Sequence, residues 1–93
     1  MDKLLEYRQE IDKIDSEIIS LIAKRFEVVK LVWEYKKQAN MESLQPSRWA
    51  EVLKTKKALA REFGLDEILI ENIWNNIHEF AILEEDKQKN INN

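Results

Sequence analysis

Cysteine is absent from the 93 residues. No disulfide can staple this chain, and no thiolate can hold a metal. Glycine and proline each occur once. Folds rich in strands and tight turns use both residues freely, so their scarcity argues against a β-rich domain. No apolar run approaches the ~18 residues that a membrane span requires. The opening segment, Met1-Asp2-Lys3-Leu4-Leu5-Glu6, lacks the apolar core of a signal peptide, so a cytoplasmic protein is expected. An excess of positive charge is missing as well. The net charge of −3 is no footprint for nucleic acid. Lys54, Lys56 and Lys57 are flanked by Glu51 and Glu62 and read as a solvated helix face. The one histidine, His78, has no metal-ligand partner at usable spacing and reads as a surface or satisfied side chain.

What is present is helical patterning. Charged residues make up 35% and hydrophobic ones 44%, the profile of amphipathic helices with well-separated faces. The spacing predicts an all-α fold of three helices, long, medium and medium, in one domain over residues 1–93. The first helix is expected over residues 2–39, without caps. Its stripe is heptad-like, with Leu4, Ile11, Ile18 and Val32 in one series and Tyr7, Ile14, Leu21, Val28 and Tyr35 in the other. Residues 40–45 form a short connection. The second helix is expected over residues 46–63, with Pro46 in its first turn and Ser47 as a candidate cap. Trp49, Val52, Leu53, Leu59, Ala60 and Phe63 are its apolar face. Gly64 suits a left-handed C-terminal cap, and Asp66 the N-cap of the third helix. Ile70, Ile73, Trp74, Ile77, Ala81 and Glu85 form that helix's stripe, and residues 86–93 read as a polar tail that frays. Trp33, Trp49 and Trp74 read as core or interface residues.

A chain of this length buries only about two thirds of its unfolded surface and is marginal alone. Two shorter helices cannot cover a helix of roughly 38 residues, so a homodimer is expected.

Arg25 interrupts the first apolar series, between Ile18 and Val32. An unpaired buried guanidinium is costly, so something anionic should meet it. Asp12, Asp15 or Glu17 could do so, and so could a ligand. Lys36 lies eleven positions on, about 17 Å along the helix and on the same face. It reads either as a snorkelling surface lysine or as a second ligand contact. Arg8 lies about 26 Å from Arg25 and cannot join that pair within one chain. If two first helices pair antiparallel about residue 20, position 8 of one faces about position 32 of the other. Three cations from two chains would then surround each of two pockets.

The ordered set of motifs resembles the all-helical (AroQ-type) chorismate mutases. The likeness covers about residues 4–85. It runs from Tyr7-Arg8-Gln9-Glu10-Ile11-Asp12 through Ile18 to Arg25, then Val29, Tyr35-Lys36 and Pro46-Ser47-Arg48, to Gly64-Leu65 and the segment from Ile73 to Glu79. Each element is weak alone; the order and near-constant spacing are specific. The resemblance implies an intertwined homodimer that rearranges chorismate to prephenate at sites built from both chains. It implies that Arg25, with Arg8 of the second chain, binds the two substrate carboxylates. Lys36 would contact a carboxylate and the ether oxygen, and Arg48 matches the family's arginine at the start of the second helix. The reaction is pericyclic, so the resemblance implies no cofactor and no metal. A flexible dianion must be held in its reactive shape, and growing negative charge on the ether oxygen must be stabilised.

Three positions depart from the family's bacterial pattern. Trp49 stands where a Glu often contacts the substrate hydroxyl. Glu85 stands where a Gln commonly donates to the ether oxygen. A protonated carboxyl can donate and an ionised one cannot, so activity that rises as pH falls is expected if Glu85 is in the site. Ala81 stands where Ser is common. Trp49 keeps isochorismate pyruvate-lyase, a relative of the same fold, as an alternative, although the Arg-Trp pair is associated with mutases. A non-catalytic dimeric module that binds an aromatic-pathway metabolite, or docks onto a partner enzyme of that pathway, is the alternative from another class.

Overall fold

The computed structural model describes residues 2–42 and 45–91, with side chains as far as residue 87. Three helices follow one another: α1 over Lys3–Gln38, α2 over Pro46–Glu62 and α3 over Glu67–Ile91. No strand occurs among the described residues. The all-α expectation holds, and the helix limits agree with it to within a residue or so, except at the end of α3. There the polar segment expected to fray from Asp86 is helical as far as Ile91. No Gly or Pro stops the helix, and Lys87 reaches back to Glu84 at 3.4 Å.

The helix ends show why the chain breaks where it does. Asp2, not foreseen as a cap, accepts a hydrogen bond from the backbone N–H of Leu4 at 3.0 Å through its Oδ1. α1 stops at Asn40, whose φ is 59°. The N–H of Met41 then bonds back to the carbonyl of Lys36 at 2.8 Å, the 6→1 closure of a Schellman turn. Gly64 does the same for α2, with φ 72° and the Leu65 N–H on the Ala60 carbonyl at 2.8 Å. Asp66 caps α3 as expected, its Oδ1 accepting from the N–H of Ile68 at 2.7 Å. The start of α2 differs from expectation. Pro46 takes the first helical position, so the cap is Gln45 and not Ser47, and Gln45 makes no side-chain cap bond.

The chain divides into two units, Met1–Val32 and Trp33–Asn93. The first is one long stretch of α1, and no residue of α1 is buried. Its apolar stripe faces solvent: Tyr7, Ile11, Ile14 and Leu21 are each more than half exposed.

In the second unit, α2 packs on α3. Side chains bridge them in a regular antiparallel ladder. Arg61 pairs with Glu67 beside the turn. Four residues down α2 and four up α3, Lys57 meets Glu71 at 3.5 Å. Lys57 therefore bridges the two helices and is not simply part of a solvated face. Eight residues further along α2, the ring of Trp49 lies on that of His78, with centroids 3.8 Å apart and planes at 9°. The buried positions among the described residues are small ones, Val52, Ala60 and Ala81. Phe63, expected on the apolar face, lies at the turn and is 72% exposed.

Candidate active site

Arg8 and Arg25 belong to the first unit. Arg8 is exposed and Arg25 is half-buried on an otherwise largely exposed helix. Arg25, which breaks the apolar series, is thus better covered as a residue than Ile18 and Val32 on either side of it, which are 49% and 43% exposed. Because α1 is continuous through the first unit, the axial spacing of Arg8 and Arg25 is that of a regular helix.

The second unit carries Lys36, Arg48, Trp49, Ala81 and Glu85. Lys36 lies in the last turn of α1, where a cation also complements the helix dipole, and is half-buried. Arg48 lies in the first turn of α2 and is exposed. Its Nη1 donates to Oε1 of Glu51 at 3.0 Å, with both side chains about two thirds exposed. Such a solvent-facing pair is worth roughly 0.2–1 kcal/mol, so a substrate carboxylate can take the guanidinium from Glu51 at little cost.

On α3, positions 78, 81 and 85 recur at steps of three and four and so share one side of the helix. Ala81 is buried; His78 and Glu85 are half-buried. Trp49 reaches this side from α2 through its stack on His78. Trp49 thus lies against the side of α3 that carries Ala81 and Glu85, through a residue that sequence reasoning had set aside. His78 is a satisfied histidine rather than a surface one. The signal for it was available: a helical hairpin folded at Gly64 and Asp66 pairs positions near 49 with positions near 78. Glu51, the partner of Arg48, was likewise missed, although it stands at the i,i+3 spacing that favours such pairs.

The family model described as "Chorismate mutase type II" matches residues 7–86. That span takes in every candidate residue from Arg8 to Glu85. The chain belongs to the type II chorismate mutase family. It is 35% identical to a chorismate mutase of Methanocaldococcus jannaschii, over 97% of each chain. It is also 36% identical to the T-protein of Haemophilus influenzae over 78% of this chain. With a bifunctional chorismate mutase/prephenate dehydratase of Aquifex aeolicus it shares 37% identity over 67% of its length. It spans only 19% of that T-protein and 17% of that bifunctional protein. The expected family membership is therefore borne out along nearly the whole chain.

Proposed function

We propose that this chain is a chorismate mutase that converts chorismate to prephenate at sites shared between two copies. The observation that carries the reading is the ordered cation set Arg8, Arg25, Lys36 and Arg48 inside the span matched by the family. Arg25, with Arg8 of the second chain, clamps the two carboxylates, for which the guanidinium fork is suited. Lys36 contributes a compact ammonium to a carboxylate and the ether oxygen. Arg48 exchanges Glu51 for the substrate. Glu85, when protonated, donates to the ether oxygen as charge grows there. The enzyme's work is orientation plus electrostatic stabilisation; the rearrangement asks for no nucleophile.

The homodimer is part of the proposal. Tyr7, Ile11, Ile14 and Leu21 of the first unit are each more than half exposed, an apolar stripe that a second copy would cover. The Trp74 indole N–H adds support, being buried with no acceptor among the described residues. Such an orphan costs about 1–3 kcal/mol, which an acceptor on a second chain would relieve. A cytoplasmic location and contact with another enzyme of the aromatic pathway belong to the same proposal. Among the described residues, no helix is long and apolar enough to cross a membrane.

The test is chorismate consumption by the purified protein in acidic and neutral buffers, with prephenate identified and isochorismate run in parallel. Prephenate formed faster in acid is the expected result. Pyruvate released from isochorismate, without prephenate from chorismate, would establish the lyase that Trp49 keeps open. A folded dimer that binds chorismate and turns over neither compound would establish the binding module.

A further inference from the structure

The Trp49–His78 stack joins the first turn of α2 to α3. The ion pair Lys57–Glu71 lies eight residues along α2, about 12 Å away. Arg48 is in the same first turn as Trp49, and that turn is weakly secured from within. Gln45 caps it without a side-chain bond. The Arg48 and Trp49 amides both rely on the Gln45 carbonyl, at 3.0 and 3.2 Å. The ion pair Arg48–Glu51 lies within α2 and ties nothing to α3.

We propose that His78 is a positioning residue: its ring, laid flat on Trp49, fixes the first turn of α2 against α3 and so holds Arg48 where substrate meets it. The reading rests on the proposed role of Arg48. The chemistry required of position 78 is a flat ring of modest size. At 3.8 Å and 9° the two rings meet face to face, and side chains without a planar π face cannot reproduce that contact. A helix end without a side-chain cap frays readily, and fraying would spread the Arg48 guanidinium over many positions. Holding it in place lowers the entropy lost when a carboxylate binds.

The experiment compares wild type with His78→Ala and His78→Phe, the second keeping a ring for the stack. Removing the stack raises KM about two- to twelvefold, the value of an aromatic pair at 0.5–1.5 kcal/mol, while kcat changes much less. His78→Phe restores KM. Arg48→Ala added to His78→Ala costs clearly less than it costs in wild type, because the arginine is already misplaced. Amide hydrogen exchange supplies the readout that is independent of turnover. The amides of Arg48 and Trp49 exchange several-fold faster in His78→Ala and return to the wild-type rate in His78→Phe, with Leu65 at the turn unchanged.

Uniform acceleration along α2 and α3 would make His78 an ordinary packing residue and overturn the proposal. So would wild-type KM in a folded His78→Ala, multiplicative losses in the double variant, or failure of His78→Phe to restore KM. Should wild type not turn over chorismate, the mutase reading falls, while the exchange pattern still decides whether His78 clamps the first turn.

Discussion

The two units of this chain are both helical and both apolar along one side, yet one satisfies itself and the other does not. In the second unit, α2 and α3 fold back at Gly64, cover Val52, Ala60 and Ala81, and bridge one another by ion pairs and a ring stack. In the first unit, residues 3–32 carry an apolar stripe, broken at Arg25, with no buried residue. Helices in proteins gain most of their stability from packing an apolar face. The hairpin is thus a local structure that a short loop can close. The long helix has no such local solution, and in the proposed dimer a second copy supplies it.

The sharpest way to break this contrast is to charge the stripe. Ile11→Lys with Ile18→Lys places two ammonium groups in the proposed interface, each costing several kcal/mol if buried there. Turnover should vanish, and sedimentation with circular dichroism should show an unfolded or monomeric chain. A folded, active double variant would mean that the stripe has no partner. In wild type, the same contrast predicts a melting temperature that rises with protein concentration.

Next in size is Arg25→Ala. It should lower kcat/KM by about 10²–10³-fold, the cost of losing one positioned electrostatic group, while the dimer persists in sedimentation. Unfolding would show instead that Arg25 holds the helix pair together. Glu85→Gln should act in the opposite direction. A neutral amide donates at any pH, so activity at neutral pH should rise by about tenfold, one hydrogen bond of ~1.4 kcal/mol. The pH–rate profile should flatten. An unchanged profile would place Glu85 outside the site.

The smallest effect belongs to the self-contained hairpin. Ala in place of Gly64 would meet no atom within 4 Å, so the cost arises from φ +72° alone. A left-handed residue with a Cβ costs about 1–2 kcal/mol. The melting temperature should fall by several degrees with KM unchanged.

Local features were the legible ones. Gly64 as a C-terminal cap, Asp66 as an N-cap and the limits of the helices, the end of α3 apart, are set by residues next to one another in sequence, and they stand as read. Ser47 was misplaced because Pro46 already occupies the first helical position, which moves the cap back to Gln45. Lys57 was misread, and the stack of His78 on Trp49 was not foreseen, because their partners lie on the opposite arm of the hairpin. Their roles follow from the register between α2 and α3, which composition and periodicity do not reveal. The candidate site follows the same rule. Its cations were readable one by one from their places on helix faces. Which of them act together in the proposed dimer depends on how α1 of one copy meets α1 of another, for which spacing along one chain offers only a conditional register.

That relation can be tested by mixing two inactive variants. Arg8→Ala and Arg25→Ala homodimers are dissociated together and allowed to reassociate. If each site takes Arg8 from one chain and Arg25 from the other, a mixed dimer has one site lacking both arginines and one intact site. Random pairing then restores about a quarter of the wild-type prephenate formation. A mixture as inactive as its parents, in which mixed dimers are demonstrated by mass, would contradict the shared site and place both arginines on a single chain's substrate.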